Sequence, residues 1–442
     1  MPKTIKSSNY SCSACGAVSS TWSGRCNSCG EWNTLELTRE IAGGNSRLSA
    51  LSVSQSVEAK EQRLKTNIAG VDEVFGGGIV QGSVNLISGE PGMGKSTLLL
   101  QICAAVADCE EVLYISGEES LHQIGMRANR LGLTPKKLKV ATSNITDDIA
   151  RAIESGKYKL VVIDSIQTIR CQEVGSSAGS ISQVTNSSAL LTQAAKNSNT
   201  AIVIVGHITK EGNIAGPKLL EHIVDVVLSL EGDQSGGLKL LRVSKNRYGS
   251  TNETAIFEMD HSGLIPVANP SAILLAERKI TDGSIVLATV EGSRPILVEV
   301  QALVNPTSYG YPKRAASGLE LSRLNLLVAM MERRTSLKLN DKDIYVNIVG
   351  GLKISEPASD LAIIMAIASA SRGKKLKSNA VVFGEVGLSG EIRNVPFIDK
   401  RITEARALGF DYAIGPMNPG SKESSFLHPV DEVRSALNSF LS

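Results

Sequence analysis

The stretch GEPGMGKST, residues 89–97, carries the most specific chemistry in the sequence. It fits G-x-x-x-x-G-K-[ST] through Gly89, Gly94, Lys95 and Ser96. The apolar run SVNLIS precedes it and the helical pattern STLLLQICAAVA overlaps its end, the strand–loop–helix setting a phosphate-binding loop needs. Gly89, Glu90, Pro91, Gly92, Met93, Gly94, Lys95, Ser96 and Thr97 would then wrap the phosphates of a nucleotide. Backbone N–H groups and the positive end of the helix supply the field. Lys95 is expected to reach the terminal phosphates and the Ser96 hydroxyl to ligate Mg2+. A magnesium site also needs a carboxylate at the end of a neighbouring strand, and KLVVIDS offers Asp164. EVLYISGEES puts Glu118 and Glu119 at another strand end, where a carboxylate could orient or deprotonate water. The same pair also reads as a solvated helix start, which favours acids in any case. AIVIVGH ends at His207, either a sensor of the terminal phosphate or an ordinary loop histidine.

Two further clusters could do chemistry. CSACGAVSSTWSGRCNSCG spaces Cys12, Cys15, Cys26 and Cys29 as two C-x-x-C knuckles ten residues apart. Each knuckle can turn both thiolates toward one ion, so the tetrad predicts a closed, structural Zn2+ site. Two disulfides or unrelated thiols are the alternatives, and a reducing compartment disfavours the disulfides. SKNRYGS at 244–250 places Lys245 and Arg247 two apart after the strand-like LKLLRVS. Their negative partner could be a carboxylate of the same chain, a nucleic acid, or a phosphate held by another molecule.

These residues need elements to hold them. The 442 residues exceed one ordinary core, so several domains are expected. Residues 1–37 are Cys- and Gly-rich and form the zinc finger; 38–65 are polar and read as linker. From 66 to 265, seven apolar runs (SVNLIS, EVLYIS, KLKVAT, KLVVID, TAIVIVGH, DVVLSL, LKLLRVS) alternate with amphipathic stretches. That alternation predicts an α/β core with a mostly parallel sheet covered on both faces. After the turn-rich IPVANPS, residues 266–442 mix strands and longer helical patterns as a separate α+β domain. The net charge of +2 neither demands nor excludes nucleic acid. No apolar run approaches the roughly 18 residues of a membrane span, and the amino terminus has no apolar export segment, so the expected location is the cytoplasm.

Taken together, the four-cysteine finger, FGGGIVQGS, YISGEES, VVIDSIQT, GHITKEGNIAGPKLLEHIVD, KNRYG and GGLKISEPASDLA resemble the bacterial RadA (Sms) family over nearly the whole chain. The resemblance implies a RecA-like ATPase core in a hexameric ring, moving on single-stranded and branched DNA as DnaB-type helicases do. It implies recombinational DNA repair and a RecA-type recombinase as partner. By position, Lys95 and Ser96 match the Walker A lysine and magnesium ligand, Asp164 the Walker B aspartate, and Glu118 the catalytic glutamate. Lys245 and Arg247 match the family's KNRFG motif, with Tyr248 replacing its phenylalanine, and are implied to meet the γ-phosphate of the next subunit's ATP.

DNA contacts are expected from the Gly-rich RCQEVGSSAGSISQ and TKEGNIAGPK, through Arg170, Lys210 and Lys218. With almost no aromatics there, binding should be salt-sensitive and sequence-independent. Thr185 stands where the family carries an arginine. The last domain resembles the proteolytic domain of Lon, but Asp360 and Asp399 fall where the serine and lysine of the dyad belong. Ser359 and Lys400 are one residue away, a shift that turns a helical side chain by about 100°. A scaffold, with Lys313 and Arg314 in SYGYPKRAASG as DNA-facing candidates, is expected instead. The readings to weigh are therefore a DNA motor, an ATP-switched DNA- or recombinase-binding protein, and an ATP-dependent protease.

Overall fold

All seven apolar runs of the first half become strands of one sheet. The computed structural model describes residues 10–12, 18–19, 22–37, 62–207, 217–232, 237–308, 310–376, 379–417 and 425–441. The sheet comprises β1 (Val84–Gly89), β2 (Val112–Ser116), β3 (Leu138–Thr142), β4 (Leu160–Asp164), β5 (Ala201–His207), β6 (Val226–Gly232), β7 (Leu238–Asn246), β8 (Thr254–Asp260) and β9 (Gly263–Pro266). Their order is β9-β8-β7-β6-β1-β5-β4-β2-β3. The six from β6 to β3 run parallel; β7, β8 and β9 extend the edge antiparallel.

The parallel strands read as unbroken apolar runs because both faces are covered. Alternation along β1 sends Ile87 to one face, against Leu98 and Ile102 of α1 (Lys95–Ala107). It sends Leu86 to the other, into the cluster that holds Val184 and Leu191. Those two lie on a helix (Ile181–Ser198) that begins with a Ser180 side-chain cap. Every residue of β1, β2 and β4 is buried, so their carboxyl ends are fixed points of the fold.

A second sheet follows, built from β10 (Ser284–Glu291), β11 (Arg294–Pro306), β12 (Arg314–Ser317), β13 (Lys342–Ile348), β14 (Ala380–Val382), β15 (Tyr412–Gly415) and β16 (Leu427–Pro429), in the order β12-β13-β11-β10-β14-β15-β16. The helix α2 (Asp360–Arg372) is buried along its first ten residues, which explains a segment apolar nearly all round. Its core is continuous with Leu238, Leu240 and Ile256 of the first sheet. Residues from Glu61 to Ser442 accordingly form one compact unit.

Met1–Lys60 is a second unit. Its described part is a three-stranded antiparallel ribbon, with Tyr10–Cys12 between Val18–Ser19 and Leu35–Leu37. The buried apolar residues there are Cys12, Cys26 and Leu35, too few to hold a fold without another source of stability. Among the described residues no helix is long and apolar enough to cross a membrane.

Candidate nucleotide site and metal centre

The loop after β1 turns into α1 through Gly94, whose φ of 97° places it in the left-handed region. A Cβ there would meet only movable side-chain ends, the nearest being Met259 Cε at 2.5 Å, so it is the positive φ that calls for glycine. Lys95 is buried, and its ammonium donates to the carbonyl oxygens of Gly89 (2.8 Å) and Glu90 (2.9 Å). Burial pushes the ammonium below the usual lysine range, while Asp164 and Glu118 pull it back. The sheet thus brings Lys95, Asp164 and Glu118 within electrostatic reach of one another.

Asp164, at the end of β4, is buried and accepts a 2.6 Å hydrogen bond from the Tyr114 hydroxyl of β2. Glu118 follows β2 by two residues. The turn is possible because residue 117 is glycine: a Cβ there would lie 2.1 Å from Thr168 Oγ1. Glu118 Oε1 accepts from Ser165 Oγ at 2.5 Å and lies 3.4 Å from His207 Nε2. Neither ring nitrogen of His207 has a hydrogen-bond partner among the described residues. Glu119 points elsewhere and forms a close ion pair with Arg127. The two neighbouring glutamates therefore differ in kind: one sits with Asp164 and Lys95, the other fastens the following helix.

The donor set fits a magnesium–nucleotide group. A left-handed glycine cradle, a buried lysine, a hydroxyl at Ser96, a buried carboxylate and a histidine beside Glu118 meet at the ends of adjacent parallel strands.

Lys245 and Arg247 sit on the far side of β1, at the end of β7. Lys245 donates to the carbonyl oxygens of Glu221 (2.5 Å) and Val224 (2.8 Å). Burial and the neighbouring Arg247 lower its pKa. Arg247 pairs with the buried Asp225 at 3.0 Å while its side chain stays about half exposed. Within one chain, the intrachain carboxylate is thus the partner. The turn is braced from below, since Gly249 approaches the FGGG segment so closely that a Cβ would be 2.8 Å from Gly76 Cα.

In the ribbon, the Sγ atoms of Cys12, Cys26 and Cys29 lie within 4.8 Å of one another, and those of Cys12 and Cys29 are 3.7 Å apart. A tetrahedral ion with Zn–S bonds of about 2.3 Å separates its sulfurs by about 3.8 Å, so the cluster fits zinc. Backbone N–H groups of Cys29 and Ser28 hold the Cys26 thiol below its usual range, toward the thiolate a metal requires. The described cysteines are all free thiols, which removes the disulfide alternative for Cys12, Cys26 and Cys29. Cys15 lies outside the described residues.

Three family models match along the chain. The model described as rubredoxin metal binding domain matches residues 10–36, the AAA domain matches 49–213, and subunit ChlI of Mg-chelatase matches 325–418. The chain is 45% identical to the DNA repair protein RadA of Halalkalibacterium halodurans, covering 93% of both chains. It is 46% identical to that of Bacillus subtilis and 45% identical to that of Escherichia coli, covering 92% of each chain. The chain belongs to the RadA family of DNA repair proteins.

Of the other positions singled out in this RadA-family sequence, Arg170, Lys313 and Arg314 are wholly or partly exposed. Arg170 is exposed just past β4, with its backbone tied to Asn144 and Thr146. Lys210 lies outside the described residues, as does the side chain of Lys218. Lys313 is exposed and Arg314 half-buried at the start of β12. Thr185 bonds back to the Ile181 carbonyl at 2.8 Å.

In the Lon-like region, Asp360 is fully buried and forms a close bidentate pair with Arg323, accepting also from the Val386 N–H at 3.0 Å. Ser359 Oγ donates to the Glu356 carbonyl (2.8 Å), and Lys400 Nζ to the Ser293 carbonyl (2.9 Å). Sequence reasoning missed Tyr114, Ser165, Asp225 and Arg323. Each is an ordinary residue of its element, and only the fold brings it to a charged partner.

Proposed function

We propose that this chain is an ATP-driven motor on single-stranded and branched DNA, a DnaB-type helicase and branch-migration enzyme of recombinational repair. It would work as a homo-oligomeric ring, a hexamer by family likeness, with a RecA-type recombinase as partner. The observation that carries the ATPase part is the meeting of Lys95, Asp164, Glu118 and His207 at the ends of β1, β4, β2 and β5.

In this reading, Lys95 neutralises the terminal phosphates and backbone N–H groups of residues 92–97 hold the rest. Ser96 and Asp164 would hold Mg2+, which would supply charge stabilisation to the phosphates. Ser165 fixes one oxygen of Glu118, leaving the other to orient the attacking water and take its proton. His207, beside Glu118 and without another partner, is placed to respond to the terminal phosphate.

Lys245 and Arg247 would complete the site of the neighbouring subunit, making hydrolysis depend on assembly. Exposure of half the Arg247 side chain supports a group free to exchange Asp225 for a phosphate. The Asp225 pair also favours a second reading, in which KNRYG is held in cis and ATP only switches DNA affinity.

One experiment separates the two: ATPase rates with and without single-stranded DNA for wild type, Lys95→Ala, Arg247→Ala and an equimolar mixture of the two variants. The ring reading expects both variants to be inactive and the mixture to regain DNA-stimulated turnover at mixed interfaces. A mixture that stays inactive, with Arg247→Ala losing DNA binding alone, overturns it in favour of the switch.

A further inference from the structure

The GGLKIS segment at 350–355 belongs to the carboxyl-terminal region, yet it borders the phosphate loop. Leu352 and Ile354 are 2% and 3% exposed and share a core cluster with Leu238 and Leu240 of β7. Ile354 is further fixed by its N–H bond to Gly318 O at 2.8 Å. With its two neighbours pinned inward, Lys353 must face out.

It faces a cavity of about 180 Å3 whose walls include Gly89, Glu90 and Met93 of the phosphate loop and Glu231 and Arg242 of β6 and β7. A larger cavity of about 770 Å3 adjoins it, sharing Glu231, Arg242 and Lys353. The two cations on this rim are not equivalent. Arg242 is held by a close ion pair with Glu291 and by Glu231 at 3.3 Å. Lys353 has no hydrogen bond or ion pair among the described residues.

We propose that Lys353 is a nucleotide-contacting residue, an ammonium that the carboxyl-terminal region supplies to the polyphosphate held by the phosphate loop of its own chain. The inference rests on the reading that GEPGMGKST holds ATP. A phosphate loop brings one lysine of its own to a highly charged ligand, and a second cation at its rim adds attraction without new backbone. The side of approach determines what it does. β6 flanks β1 on the side away from β5, β4 and β2, which carry His207, Asp164 and Glu118. Lys353 therefore acts on nucleotide affinity, while the groups that handle water lie across the loop. It also gives the carboxyl-terminal region a direct contact with the nucleotide state.

The test uses the full chain and has two readouts other than turnover. In the first, a fluorescent ATP analogue with Mg2+ is titrated into wild type, Lys353→Ala, Lys353→Arg, Lys353→Glu and Lys95→Ala. Affinity should fall about tenfold for Lys353→Ala, the equivalent of one charge-assisted contact. It should fall further for Lys353→Glu and be largely kept by Lys353→Arg. In the second, wild-type protein is acetylated with and without Mg2+ and a non-hydrolysable ATP analogue. Mass spectrometry should find Lys353 labelled without nucleotide and protected with it.

Wild-type affinity in both Lys353→Ala and Lys353→Glu, or labelling of Lys353 unchanged by nucleotide, overturns the proposal. Loss of binding in Lys95→Ala alone would then leave the phosphate-loop reading standing. Absence of binding by wild type would remove both.

Discussion

Tyr114 shows how much of this site depends on a residue that bears no motif. Its hydroxyl is the side-chain donor to Asp164 Oδ2, in a strand where every residue is buried. Burial, with the Asp164 charge beside it, pushes the phenol far above its usual range, so it remains a donor at any working pH. Tyr114→Phe keeps the ring and removes the donor, leaving a buried carboxylate short of a partner at a cost of about 1–3 kcal/mol. The expected outcome is a several-fold higher Mg2+ concentration for half-maximal ATPase, with nucleotide binding measured in EDTA unchanged. An unchanged Mg2+ dependence would make the tyrosine a packing residue only. The phosphate loop, Asp164 and the Glu118–Glu119 pair were legible because each is a local pattern tied to a strand end. The choice between the two glutamates was not legible from the residues alone. It is made by Ser165 and Arg127, whose distances in sequence carry no periodic signal.

At the scale of elements, β7 and α2 carry the lesson in opposite ways. β7 was legible as a strand, and its last residues were legible as cations aimed at an anion. Asp225 was not, because a polar residue between a helix and a strand looks like a turn until the sheet pairs β6 with β7. The helix α2 was legible only as one of the longer helical patterns of the last domain, with Asp360 at its start standing out as the residue in a serine's place; its burial is seen in the structure. What the pattern could not give is Arg323, 37 positions earlier, whose guanidinium grips that carboxylate. Burial raises the pKa of Asp360 and the arginine opposes the rise. Arg323→Ala would strand the carboxylate in the core, and removing one partner of such a pair costs about 3 kcal/mol. A lower midpoint of the main thermal transition is expected, read by circular dichroism. Asp360→Asn in the Arg323→Ala background should recover part of the loss, because the neutral amide needs no counter-charge. Equal midpoints for wild type and Arg323→Ala would show that the pair contributes nothing.

Across the whole molecule, the division at Lys60 separates a part with an extensive core from one whose described residues bury only Cys12, Cys26 and Leu35 as apolar side chains. From residue 61 onward, stability comes from two sheets sharing apolar contacts through Leu238, Leu240 and Ile256. In the ribbon, three buried residues, two of them cysteines, leave the metal as the main source of folding energy. Stripping zinc should therefore unfold the ribbon and spare the rest. The chain has only two tryptophans, Trp22 and Trp32, and both lie in the ribbon, so tryptophan emission reports on that unit alone. Trp32 lies under the Arg25 guanidinium at 5.7 Å, a contact that the unfolded ribbon would lose. A strong chelator is expected to change tryptophan intensity and lower its anisotropy, while the main melting transition followed by circular dichroism keeps its midpoint. Returning Zn2+ should restore the emission. If chelation instead lowers the main transition, the metal supports residues beyond the ribbon, and the two units do not fold independently.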